Sequence, residues 1–328
     1  LLFLKRVLKM NVLNTDQSTE SLISRANKVL PAGSFGNMPG DIVLERGKAG
    51  RVWDINGTEY VDFLLGSGPM FVGHAHPDVT KAITGQAPQG TTFFANNQYG
   101  IKLAEEICEA MVCADQLRFV SSGSEATLYA MRLARAYRKR DKILKFEGGY
   151  HGMSDYSLMS LAPTRLANYP QALPDSAGIP KQVSNEVIIA PFNDIETVKS
   201  LINEYHDELG GVIVEPFQRL IPPAPGFLEM LREITLKYEI PLIFDEIVTG
   251  FRFSYGGAQD YYGVTPDLCT LGKIIGGGFP VAAVCGHKEI MKHFDKALVG
   301  EENFLPQIGT LSGLSLIHIS EPTRPSQI

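Results

Sequence analysis

The rhythm of apolar and polar positions along this chain changes near residue 100. Beyond it, short apolar runs at 117–121, 143–146, 187–190, 211–214, 241–244, 268–271 and 281–285 alternate with stretches of helical spacing. Short, mainly apolar runs of this kind, four or five residues long, suit strands buried on both faces. The three-and-four spacing between them predicts helices over 100–113, 124–140, 195–206, 226–238 and 288–297. Strand and helix taking turns in this way predicts an α/β fold, with a largely parallel sheet covered by helices on both sides. Ligands of such sheets bind beyond the carboxyl ends of the strands. Upstream, Val43-Leu44, Arg51 to Asp54 and Tyr60 to Phe63 are separated by Gly47 to Gly50 and by Asn56-Gly57. This predicts a small antiparallel meander whose second link is a tight primed turn, the kind that Asn-Gly favours.

With 328 residues, 44% of them hydrophobic, the chain can bury the core of one large domain and a smaller one. The expected boundaries are 10–65 for the N-terminal part of a small domain and 66–313 for the large one. A net charge of -6 excludes a general binder of phosphate backbones, so no nucleic-acid partner is expected. The densest basic run, Arg132 to Arg140, falls in a predicted helix and reads as its solvated face. Four cysteines form no Cys-x-x-Cys pair, which suggests reduced thiols and a cytoplasmic setting. No apolar stretch reaches membrane-spanning length. Residues 1–9 carry Lys5 and Arg6 inside an apolar run without a cleavage site, so they read as translated upstream sequence with Met10 the first plausible start. Residues 314–328 lose the αβ pattern and read as a non-native tail.

Two strand ends carry the candidate chemistry. Lys273 follows an apolar run in Thr270-Leu271-Gly272-Lys273-Ile274-Ile275-Gly276-Gly277-Gly278, where glycines leave room for a bulky aldehyde at the amine. Asp245 ends the run Leu242-Ile243-Phe244, placed to keep a pyridinium nitrogen protonated. Together they imply pyridoxal 5'-phosphate. Ser121-Ser122-Gly123-Ser124-Glu125 opens a helix with a capping-box pattern at Ser122 and Glu125, and a helix start rich in glycine and hydroxyls suits a phosphate. Gly148-Gly149-Tyr150-His151-Gly152 ends the next strand and offers an aromatic ring for stacking. A nicotinamide site would need a Gly-x-Gly-x-x-Gly element, which is absent. His74-Ala75-His76 lacks a spaced third ligand and reads as a polar turn, so no metal is expected.

These segments, with Gly257-Ala258-Gln259-Asp260-Tyr261-Tyr262-Gly263, occur in the order found in class III aminotransferases, which the chain resembles from about Pro31 to Gly313. Within that class it is most similar to the glutamate-1-semialdehyde 2,1-aminomutases. The resemblance implies the PLP fold type I architecture, with a mostly parallel seven-stranded sheet, and an N-terminal meander belonging to an incomplete small domain. It implies Lys273 as the Schiff-base lysine and Asp245 as the pyridinium partner. Gly123 and Ser124 then hold the phosphate, while Tyr150 and Ile247 cover the two ring faces. Thr310, in Gly309-Thr310, reaches the phosphate of a neighbouring subunit, so a homodimer with shared sites is implied. The resemblance also implies a small amino acid or amino aldehyde as substrate. A transaminase with another donor, or a cofactor-binding chain without activity, are the alternatives.

Departures concern the substrate. Ser34-Phe35-Gly36-Asn37-Met38 has no arginine where the aminomutases carry their carboxylate-binding one, and Ser67 replaces a tryptophan. The loop Phe217-Gln218-Arg219-Leu220-Ile221-Pro222-Pro223 offers no counterpart of the cofactor-contacting asparagine and no Gly-Glu-Gly element, though Arg219 could supply a cation.

Overall fold

The computed structural model describes residues 18–162 and 168–312. The expectations for residues 1–9 and 314–328 lie outside the described residues. Two compact units emerge, Leu1–Leu65 with Val72–His76 and Gly66–Phe71 with Pro77–Ile328.

In the first unit, helix α1 (Thr19–Val29) starts at Ser18, whose hydroxyl accepts the Ser21 amide at 3.3 Å. Strands β1 (Leu44–Lys48), β2 (Arg51–Asp54) and β3 (Glu59–Val61) form an antiparallel meander in that order. The turn at Asn56-Gly57 differs from expectation. A primed two-residue turn needs positive φ at both central residues, yet only Gly57 adopts it, at 84°. Asp54 Oδ1 instead accepts the amides of Asn56 (3.0 Å) and Thr58 (2.8 Å), so an aspartate side chain builds a longer link. His74 pairs with Asp62 at 2.7 Å, which accounts for one histidine of the His-x-His element as part of a polar turn.

The second unit carries a seven-stranded sheet. Its strands are β4 (Gln116–Val120), β5 (Lys142–Phe146), β6 (Val187–Ala190), β7 (Leu209–Val214), β8 (Leu242–Asp245), β9 (Leu268–Leu271) and β10 (Ala282–Gly286). The order across the sheet is β4-β10-β9-β8-β7-β5-β6. Only β10 runs against its neighbours, so β4 and the other five strands point their carboxyl ends the same way. Helices α2 (Pro77–Gln86), α3 (Gln98–Ala110), α4 (Gly123–Arg138), α5 (Ile195–Tyr205), α6 (Phe227–Lys237) and α7 (Gly257–Tyr262) accompany it. Strands β6 to β10 are buried along their whole length, and their apolar side chains meet those of the helices in the core. Gly211 on β7 lets α4 approach closely, since a side-chain carbon there would lie 2.9 Å from Ala134 Cβ.

Two expectations are corrected in this unit. The helix predicted over 288–297 divides into α8 (Lys288–Met291), a 3-10 turn (Lys292–Phe294) and α9 (Lys296–Val299). Asp295 causes the break by accepting the Ala297 amide at 2.9 Å and starting a new helix. The basic run along α4 is not simply a solvated face. Arg138 donates to the carbonyls of Leu209, His206 and Glu239, and Arg135 is mostly buried with its guanidinium 4.0 Å from the Tyr156 ring. These cations satisfy loop carbonyls, a role that the helical spacing of the arginines does not reveal.

Candidate active site

A cavity of about 740 Å³ opens beyond the carboxyl ends of the parallel strands, within the size range of small-molecule sites. It gathers Gly123, Ser124, Tyr150, Asp245, Ile247 and Lys273 from the ends of β4, β5, β8 and β9. Helix α4 presents its first turn to this space, and Ser122 caps it by accepting the Glu125 amide at 3.2 Å. Glu125 returns the contact one residue earlier than a standard capping box, taking the Ser121 amide at 2.8 Å. The first amides of a helix have no intrahelical acceptor and lie at the positive end of its dipole. Gly123 permits close packing here, for a side-chain carbon would come within 3.2 Å of Ile247.

The loop after β5 is fastened to that helix start. Met153 donates its amide to Ser124 Oγ at 3.1 Å, and Thr127 donates its hydroxyl to the His151 carbonyl at 2.6 Å. Gly152 is required between them. Its φ is 86°, and a side-chain carbon would lie 2.6 Å from Ser124 Cα. The same loop holds Tyr150 at the cavity, its amide donating to Glu215 Oε2 at 2.9 Å. Burial raises the Glu215 carboxyl above its ordinary range.

Asp245 is 5% exposed and surrounded by donors. His151 Nδ1 lies 2.7 Å from Oδ2, while the Thr270 hydroxyl (2.9 Å) and the Ile247 amide (3.2 Å) donate to Oδ1. An ionised carboxylate only accepts, so Nδ1 of His151 donates. The buried His151 Nε2 has no hydrogen-bond partner among the described residues. His151, Glu215 and Thr270 escaped the sequence reasoning because their partners lie far away in the chain. His151 and Asp245, for example, are separated by 94 positions.

Lys273 begins a single 3-10 turn in the left-handed region, with φ of 46°, right after β9. A side chain other than glycine held there is strained, a condition that clusters at functional sites. Burial lowers its ammonium pKa from the ordinary lysine value, with Asp245 and Glu215 opposing that effect and Arg252 and Arg219 adding to it. Arg219 lies over the Tyr150 ring at 5.0 Å and lines the cavity. Arg252 lines it too. Thr310 is exposed and is not among the residues lining this cavity.

One buried lysine supports the loop from below. Lys145 on β5 is 1% exposed and donates Nζ to the carbonyls of Ser157 (2.9 Å) and Met159 (2.6 Å). Burial pulls its pKa from 10.5 down to about 8. Between those values the unfolded chain holds a proton that the folded chain has released, so this group makes stability rise with pH across that window. Lys145→Met is expected to flatten the rise by up to about 3 kcal/mol, as measured by denaturant unfolding on both sides of the window. Parallel curves for the two proteins would show that the ammonium is not desolvated.

Comparisons with known proteins agree with this arrangement. The family described as "Aminotransferase class-III" matches residues 34–303. Glutamate-1-semialdehyde 2,1-aminomutase 2 of Brevibacillus brevis is 44% identical over 311 residues, covering 92% of this chain and 70% of that protein. An omega-transaminase from Sphaerobacter thermophilus has a similar structure, with a TM-score of 0.86 and 38% identity over 94% of this chain and 72% of that one. A structure described as a transaminase with PLP bound gives a TM-score of 0.84 and 30% identity over 93% of this chain and 73% of that one. With seven strands in a mostly parallel sheet, a helix start and a lysine facing one cavity, and a family match across most of its length, this chain belongs to the class III aminotransferases, pyridoxal phosphate-dependent enzymes of fold type I.

Proposed function

We propose that this chain transfers an amino group to or from a small amino compound, with pyridoxal 5'-phosphate held covalently at Lys273. The carrying observation is the convergence of the Lys273 amine, the Asp245 carboxylate and the α4 helix start on one cavity. The residues present fit the group. The first turn of α4 opens on the cavity, which Gly123 and Gly152 line without side chains, and the cavity has the volume for a small cofactor. Gly123 and Ser124 would hold the phosphate, Tyr150 and Ile247 the ring faces, and Asp245 the ring nitrogen. Thr310 of a second copy would complete the phosphate site in a homodimer.

When bound, the cofactor supplies an aldehyde that condenses with amines and a ring that accepts electron density from the carbon losing its proton. The chain supplies the remainder. Lys273 Nζ takes up and returns the proton, and its burial favours the neutral amine relative to an exposed lysine. His151, Thr270 and the Ile247 amide lock the Asp245 carboxylate in place, so its charge is available without rearrangement. Tyr150 and Ile247 exclude water from the two sides.

The same chemistry either passes the amino group between two molecules or moves it within one. Single-turnover reactions with glutamate semialdehyde, alanine, β-alanine and aspartate test both. Pyridoxamine phosphate formation with at least one donor is the expected result. Its absence with every donor, on protein that binds the cofactor, would reject amino transfer.

A further inference from the structure

Arg252 lines the cavity beside the reactive amine. Arg252 is half-buried, and among the described residues no carboxylate lies within ion-pair distance of it. Its only shift in pKa comes from burial, downward, with no acidic neighbour opposing it. Yet the side chain is fixed. Nε donates to the Val248 carbonyl at 3.0 Å and Nη2 to the Gly68 carbonyl at 2.5 Å, and the guanidinium lies 5.3 Å from the Phe71 ring centroid. Two of its five donors are thereby used on the protein.

The fixing places the guanidinium next to the chemistry. A side-chain carbon built at Gly68 would stand 3.4 Å from Arg252 Nη2 and equally 3.4 Å from Lys273 Cδ. Gly68 itself has a φ of 101°, so this close approach depends on glycine. Phe217, Leu220 and Val248 also line the cavity and give it apolar surface. The acids of the site are otherwise committed. Asp245 and Glu215 are buried and hydrogen-bonded, and neither pairs with Arg252. Desolvating a guanidinium without a partner is costly, and an anion arriving from solution removes that cost.

We propose that Arg252 is the group that reads the carboxylate of the substrate, making this enzyme one for amino or keto acids rather than simple amines. The proposal rests on the amino-transfer reading of the same cavity. Arg219, the other cation at the opening, is exposed, and its guanidinium lies over the Tyr150 ring; a solvated charge contributes little to such a contact. The occupant is a carboxylate attached to an apolar body, within reach of an amine or carbonyl carbon at Lys273.

Titration calorimetry with 3-phenylpropionate and its uncharged amide tests the assignment without turnover. The wild-type chain, loaded with cofactor, is expected to bind the acid more tightly than the amide. Arg252→Gln should weaken acid binding at least about thirtyfold and leave amide binding within about twofold. Arg252→Lys should recover part of the loss, and Arg219→Gln should leave acid binding nearly unchanged. A variant that weakens acid and amide alike would assign Arg252 a purely structural role in holding the Gly68 carbonyl. Equal acid binding by Arg252→Gln, loss of it in Arg219→Gln instead, or no saturable acid binding by the wild type would each overturn the proposal. Trapping of the cofactor on Lys273 by borohydride, scored by peptide mass, separates this failure from failure of the amino-transfer reading, since Arg252 does not touch the attachment atom's ligand set.

Discussion

Lys273→Ala is expected to abolish covalent attachment while leaving the rest of the cofactor site in place. Attachment and proton movement pass through the same nitrogen, so turnover should fall by at least about 10²- to 10⁴-fold, the range supplied by a positioned acid–base group. Binding contributions from the α4 helix start, Tyr150 and Asp245 do not involve that amine. The variant should therefore still retain cofactor through gel filtration yet release it on denaturation after borohydride treatment, where the wild type keeps it. Stability should change little, because the lysine sits in a strained left-handed conformation and its ammonium is partly desolvated. Turnover within tenfold of the wild type would remove Lys273 from the chemistry.

Asp245→Ala should act on both stability and activity. The substitution leaves the His151 Nδ1–H, the Thr270 hydroxyl and the Ile247 amide without their acceptor in a nearly closed interior. Each orphaned buried donor costs about 1–3 kcal/mol, so the loss should be at least about 3 kcal/mol in denaturant unfolding. Removing a preorganised charge from the reaction centre should lower turnover by a further about 10²- to 10³-fold. Asp245→Asn separates the two effects, since it keeps the shape and one acceptor while deleting the charge. If Asp245→Asn were as active as the wild type, the carboxylate would be a structural anchor for His151 and nothing more.

The central strands were legible because burial on both faces leaves no polar position to interrupt them, as in Leu242-Ile243-Phe244 and Val212-Ile213-Val214. Lys273, Asp245 and the Ser122 cap were legible for a related reason. Each follows directly from a strand end or opens a helix, so local sequence fixes its place. The partners of those residues were not legible. His151 finds Asp245, and Arg252 finds the Gly68 carbonyl, only through the folded sheet. Helix α2 hid because Pro77 to Gln86 mixes Val, Thr and Ile with Gly85, residues of weak helix preference, and buries only Gln86. The turn after β2 was misread because the Asp54 side chain, not the Asn-Gly pair, closes it.

Asp245 ends β8 and Glu246 follows it directly, yet the two acids serve different partners. The first faces the cavity. The second is 1% exposed and gathers the Thr249 hydroxyl, the amides at the start of α7 and the Gln259 side chain. Their chemistry is nearly alike, so composition cannot tell the two apart and only their places at the end of the strand assign their jobs. A deletion of one residue between Leu242 and Phe244 would thus carry Glu246 into the place of Asp245, aiming the anchor at the reaction space, with every ingredient of the site still present and its wiring displaced.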